Sequence, residues 1–241
     1  MLNKTRAIVL HSLKYGDSSL IVHCYTEQWG RRSFLMKGIR KSRRQHRVNY
    51  FQPLFVLDLD VYFRDTRDLQ WIKEASFSGS IPDFQGDIVK STQVMFLSEV
   101  LMKVLKEEEK NEALFDFLYR SVSYLESLEN GSSSFHLFFL FQLTRFLGFY
   151  PRKNYDSERI FFDRFSGSFV TVPPAADIET EKLLGGYWNR CFDLTYNDAD
   201  QLFSNKYHRN LFLDSLLDFY RHQVDSLGDI KSVEVLRVLF S

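Results

Sequence analysis

Five short apolar runs crowd the first 80 residues and set what this half of the chain can become. They are TRAIVLHSL (5–13), SLIVHCYT (19–26), RRSFLMKGI (31–39), FVLDLDVYF (55–63) and LQWIKEASF (69–77). Each is rich in Val, Ile, Phe or Tyr, and turn residues such as Tyr15-Gly16-Asp17-Ser18 and Trp29-Gly30 separate them. In FVLDLDVYF, Asp58 and Asp60 share one face, while Val56, Leu57, Leu59 and Val61 are apolar. That is the pattern of a strand with one wet side. Five strands in so few residues predict a small closed or partly closed barrel. The OB-fold is the common barrel of that size that binds nucleic acid.

The period changes at SGSIPD (78–83). In DIVKSTQVMFLSEVLMKVLKEEE (87–109), Val94, Leu97, Leu101, Val104 and Leu105 fall on one helical stripe. NEALFDFLYRSVSYLESLE (111–129) repeats the pattern and ends at Asn130-Gly131, a C-cap signal. FHLFFLFQLTRFLGF (135–149) is apolar nearly all round, which predicts a central buried helix ending at Gly148 and Pro151. FFDRFSGSFVTV (161–172) reads as a short hairpin turning at Ser166-Gly167. Helical periods resume in DIETEKLLGGYW (177–188), HRNLFLDSLLDFYRHQVDSL (208–227) and SVEVLRVLF (232–240). The expected class is therefore α+β. An N-terminal five-stranded barrel occupies residues 1–80, and a mostly helical domain occupies 81–241 with a hairpin insertion near 155–173.

Charge is distributed unevenly along the chain. The whole carries 31 basic and 31 acidic side chains. Residues 1–80 hold 14 Lys/Arg against 7 Asp/Glu, and residues 81–241 hold 17 against 24. From Gln28 to Leu57 there is no acid, yet Arg31, Arg32, Lys37, Arg40, Lys41, Arg43, Arg44 and Arg47 are gathered there. An ordinary charge run is a solvated loop. This one has no interleaved acid to neutralise its field, starts on a strand and passes through Gly38, where backbone can approach a ligand. Arginine predominates, and its planar fork suits phosphate oxygens. The eight cations are read as phosphate contacts, with Trp29 and Phe34 as secondary candidates for base stacking. Nothing resembles a base-reading helix, so the expected binding is nearly independent of sequence. Two alternatives stand beside this reading: an adaptor whose basic loop grips an acidic protein, and an RNA-binding OB module.

Other chemistry finds little support. Cys24 and Cys191 are far apart and lack metal-ligand spacing, which fits a reducing cytoplasm. The histidines, His11, His23, His46, His136, His208 and His222, are scattered. No phosphate-cradling glycine motif or metal-spaced cluster appears, so neither a catalytic residue nor a cofactor is expected. The N-terminal apolar run is too short for a signal peptide, and no uncharged window of about 18 apolar residues predicts a membrane span.

AIVLHSLKYGDSSLIVHCYTEQWGRRSFLMKGIRKSRR resembles the opening of the bacterial recombination mediator family RecO. The shared features are Tyr15-Gly16-Asp17-Ser18-Ser19, Thr26-Glu27, Gly30-Arg31, Lys37-Gly38-Ile39-Arg40 and Gln52-Pro53-Leu54. Phe146-Leu147-Gly148-Phe149 and the segment from Ile230 to Leu236 resemble later family features. The resemblance implies an N-terminal OB-fold and a helical C-terminal domain. It implies a role in DNA repair and recombination: binding of single- and double-stranded DNA, annealing of complementary strands, and help in loading recombinase onto DNA coated by single-strand-binding protein. RecR and the acidic C-terminal tail of the coating protein are the implied partners, and nucleoid DNA in the cytoplasm the implied place. Arg145, Arg152 and Lys153 are candidates for gripping that tail. Many family members carry a four-cysteine zinc module before the hairpin. Residues 151–173 here hold no Cys or His, so a metal-free hairpin is expected, held by Phe161, Phe162, Phe165 and Phe169.

Overall fold

A computed structural model describes residues 2–38 and 49–239. The chain folds as two compact units, Met1–Asn130 and Gly131–Ser241. Each is described by itself.

The first unit opens with five strands: β1 Leu2–Tyr15, β2 Ser19–Thr26, β3 Gly30–Met36, β4 Val56–Tyr62 and β5 Leu69–Phe77. They close in the order β1-β2-β3-β5-β4, with β4 returning to β1. All neighbours are antiparallel except β3 and β5. This is an OB-fold barrel. Alternation sends Ala7, Val9, Leu20, Val22, Cys24, Phe34, Met36, Leu57, Leu59, Val61 and Ile72 into the interior. A bulge at Lys73, between the Asp60↔Glu74 and Val61↔Ile72 pairs, shifts the parity of β5. Gln70 and Ile72 are buried before it, and Ala75 and Phe77 pack on the core after it. Leu54, in the Gln-Pro-Leu step, takes a left-handed φ of 61°. Its amide donates to the Val9 carbonyl at 2.7 Å, and its side chain is buried.

From Ala7 to Leu10, β1 is buried on both sides. Ile8 and Leu10 lie outside the barrel interior yet are fully covered, and α1 packs on this strand. Helix α1 (Ile88–Val104) starts at Asp87, whose carboxylate accepts from the amides of Val89 and Lys90. The stripe of Val94, Leu97, Leu101, Val104 and Leu105 is buried. Helix α2 (Glu112–Ser127) starts at Asn111, whose side chain accepts from the Leu114 amide. Its last carbonyls are met from α1: the buried Lys90 ammonium donates to the Glu126 carbonyl at 3.1 Å and also to that of Leu128. A cation at a helix C-terminus is well placed against the dipole.

The second unit is built around α3 (Phe135–Leu143), in which every residue but Gln142 is buried. The helix ends at Leu143, five residues before the Gly148 at which its apolar run predicts the end. Thr144 donates its hydroxyl to the Phe141 carbonyl, and Phe146 donates its amide to that of Leu143, tightening 144–148 into turns. β6 (Phe161–Asp163) and β7 (Ser168–Val170) form the hairpin, followed by α4 (Ile178–Arg190), α5 (Lys206–Gln223) and α6 (Val233–Leu239). Phe161, Phe162 and Phe169 are buried as expected, with Phe162 stacked on Trp188 at 3.9 Å. Phe165 is the correction: it sits 74% exposed at the hairpin tip, edge-on to His222. Gly185 of α4 lies so close to β6 that an added Cβ would stand 1.9 Å from the Ile160 carbonyl oxygen. Arg164 binds Glu181 through two bonds of 2.9 Å and reaches Asp218 at 3.1 Å.

Candidate nucleic-acid interface

The basic segment divides into three parts. Arg31 and Arg32 lie on β3, but both turn toward the connection after α1. Arg31 Nη1 donates to the carbonyls of Met102 at 3.0 Å and Leu105 at 2.7 Å, and its amide donates to Glu107 O. Burial lowers the proton affinity of this guanidinium. Arg32 pairs with the Glu108 carboxylate and donates to the Glu108 carbonyl at 2.7 Å. Both expected phosphate contacts are therefore already engaged with protein oxygens, an arrangement that follows from Gly30. Its φ is 62°, and a Cβ there would stand 2.3 Å from the Glu109 carbonyl and 2.7 Å from that of Glu107. Only a glycine lets this turn lie under the helix connection.

The stacking candidates also move. Phe34 is 0% exposed inside the barrel and presents no face to a base. Trp29 is half-buried, its ring stacked on Phe63 at 4.1 Å with 7° between the planes. Arg32 lies over the same Phe63 ring. These residues brace the end of the barrel, and Thr26 and Glu27 do the same. The Thr26 hydroxyl donates to the Gly30 carbonyl and accepts from the Trp29 amide. Glu27 holds Arg6 by two bonds of 2.7 and 3.0 Å beneath the rings of Phe115 and Tyr119. Arg6 in turn holds the Glu27 carboxyl below its usual range.

The second part is Lys37. It is exposed, and its ammonium lies 3.9 Å from the ring centroid of Trp71. Arg67, in the β4–β5 turn, approaches the same ring at 5.8 Å. The buried Gln70 side chain fixes that turn, accepting from the Arg64 amide and donating to the carbonyls of Arg64 and Arg67. Arg40, Lys41, Arg43, Arg44 and Arg47 lie outside the described residues. Trp71 and Arg67 were missed from sequence; the signal available was the alternation of Gln70 and Ile72 with Trp71.

In the second unit, Arg145 and Lys153 flank one aromatic pair. Arg145 donates to the Tyr150 hydroxyl at 2.7 Å and lies over its ring, and Tyr150 meets Phe192 edge-on. Lys153 pairs with Asp193 and lies over Phe192. Arg152 is exposed beside them in sequence. Among the described residues, no three His, Cys, Asp or Glu side chains converge as a metal site would need. Also among them, no helix is long and apolar enough to cross a membrane.

The model of the family "Recombination protein O N terminal" matches residues 1–81, and that of "Recombination protein O C terminal" matches residues 85–228. The chain is 35% identical to the DNA repair protein RecO of Phocaeicola vulgatus over 100% of both chains. It is 34% identical to that of Flavobacterium johnsoniae over 99% of both, and 30% identical to that of Porphyromonas gingivalis over 100% of both.

Proposed function

Because the chain belongs to the RecO family of DNA repair proteins, we propose that it is a non-catalytic DNA-binding mediator of recombination. It binds single- and double-stranded DNA, anneals complementary strands and, with RecR, helps load recombinase onto DNA coated by single-strand-binding protein. The observation that carries this reading is the acid-free basic segment on an OB-fold. With Arg31 and Arg32 engaged by protein, the phosphate contacts are Lys37, Arg40, Lys41, Arg43, Arg44 and Arg47. Annealing needs no covalent step. Cations screen the repulsion between two phosphate chains and hold them close enough to pair. The acidic tail of the coating protein is taken at Arg145, Arg152 and Lys153, where cations border the Tyr150–Phe192 pair. The place of action is nucleoid DNA in the cytoplasm.

Annealing of two complementary oligonucleotides, one labelled, tests the reading. Wild type should accelerate pairing, and a folded variant with Arg40, Lys41, Arg43 and Arg44 changed to Glu should not. Affinity for single strands should fall with salt at a log–log slope of roughly −0.7 per phosphate contact. Equal annealing by both proteins would remove the basic segment from the mechanism. Reversal of charge at Arg145 and Arg152 should weaken binding of a tail peptide, and unchanged affinity would remove that site.

A further inference from the structure

Six apolar side chains form one continuous cross-strand row around the outside of the barrel. Leu13 pairs with Ile21, Ile21 with Leu35, Leu35 with Trp71, Trp71 with Tyr62, and Tyr62 with Leu2. Ile21, Leu35, Trp71 and Tyr62 face away from the interior, because their strand neighbours Leu20, Val22, Phe34, Met36, Val61 and Ile72 fill it, and the exposed Leu13 and Leu2 pair with Ile21 and Tyr62 on that same face. The outer face of a barrel strand ordinarily carries polar residues where water covers it. Here Leu35 is buried, while Trp71 is 42% and Tyr62 is 48% exposed.

The aromatic pair stands between Leu35 and Leu2 in the row, and its surroundings select its ligand. Trp71 and Tyr62 are directly opposed in register, and such residues have Cβ atoms about 5 Å apart, so both side chains leave the sheet from one patch of its outer face. Lys37 and Arg67 lie at the Trp71 ring, and among the described residues neither is held in an ion pair. Asp65 and Asp68 balance Arg64 and Arg67 in charge within the turn, so Lys37 leaves the described surroundings of the ring with a positive excess. Flat apolar faces bordered by cations match unpaired bases bordered by phosphates. A stacked duplex hides its base faces and offers only phosphate to such a surface.

We propose that Trp71 and Tyr62 are a base-stacking platform for single-stranded DNA, with Lys37 and Arg67 taking the phosphates beside it. This deepens the DNA-binding reading and rests on it. The platform adds a contact that only unpaired strands can use, whereas the basic segment serves single strands and duplex alike. On binding, Lys37 leaves the ring face for a phosphate and a base takes its place.

Fluorescence anisotropy with a labelled oligo-dT strand and a labelled blunt duplex tests the platform in the full chain. Trp71→Ala and Tyr62→Ala should each weaken oligo-dT binding roughly tenfold, with duplex affinity held within about twofold. Trp71→Phe, which keeps a flat ring, should retain most of the affinity and guards against a folding defect. Trp188 is buried and Trp29 is stacked on Phe63, so oligo-dT should quench the emission of Trp71, and Trp71→Phe should abolish that quenching. Wild-type oligo-dT affinity in both alanine variants would overturn the platform and leave the DNA-binding reading standing. Equal losses for oligo-dT and duplex would also overturn it. Failure of wild type to bind either DNA would overturn that reading, and the platform with it.

Discussion

Arg31 Nη1 donates to the Leu105 carbonyl at 2.7 Å, joining β3 of the barrel to the C-cap residue of α1. The same nitrogen reaches the Met102 carbonyl at 3.0 Å, so one guanidinium answers two carbonyls that the end of the helix leaves free. One of the arginines read in sequence as phosphate contacts therefore caps a helix. Arg31→Ala should lower unfolding stability by about 1.5–3 kcal/mol, the range for hydrogen bonds from a charged group. Lys37→Ala, on an exposed side chain, should change it by no more than about 0.5 kcal/mol. Urea unfolding of the two variants checks this, and equal effects would contradict the assignment.

Lys90 makes a similar contact in the same unit. It is a buried lysine whose ammonium meets carbonyls at the C-terminal end of α2. Lys90→Met keeps the aliphatic stem and removes the donor. It should cost about 1–3 kcal/mol, because buried carbonyls lose their partner. Arg120→Met, which removes an exposed i,i+4 pair with Asp116, should cost at most about 0.5 kcal/mol. Comparable losses in the two variants would show that Lys90 is not acting as a cap.

The hairpin of the second unit is held by protein groups where the resemblance to RecO would suggest a metal in many family members. Arg164 and Glu181 are both largely buried, and Asp218 completes the set. Arg164→Met should cost about 3–5 kcal/mol by leaving Glu181 buried without its cation, and Arg164→Met with Glu181→Leu should recover most of that loss. A chelator should leave the thermal midpoint unchanged. A chelator-induced drop, or a double variant no better than the single, would refute this account.

The legible parts of the fold were those written in short-range patterns. The strand runs, the helical stripes and the turn at Ser166-Gly167 follow periods of two and 3.6 and the conformational freedom of glycine. The roles of Arg31, Lys90 and Arg164 were hidden because each partner lies 17 to 74 residues away in sequence. Phe34 and Trp71 show the same limit at the candidate site. Both are aromatics on alternating strands, and which face meets the interior depends on barrel closure. The bulge at Lys73 further reverses parity within β5. The early end of α3 comes at Thr144, whose hydroxyl bonds the Phe141 carbonyl beside the turn bonds of 145–147, local contacts that an apolar run conceals.

His136 supplies a pH dependence. It is buried on α3, and burial, followed by the nearby charge of Arg209, pushes its pKa down to about 3 from an ordinary 6.5. The unfolded chain therefore takes up a proton at a higher pH than the folded one. Stability from the neutral imidazole is fully present above about pH 6.5 and is lost as pH falls toward about 3. The slope below 6.5 approaches about 1.4 kcal/mol per pH unit for this one group. Between pH 7 and 5 most carboxylates stay ionised, so histidine titration should dominate the change. His136→Gln cannot titrate and should flatten the dependence over that interval, whatever its effect on stability at pH 7. Denaturant unfolding of both proteins at pH 7, 6 and 5 measures this, and parallel losses would show that another group carries the titration.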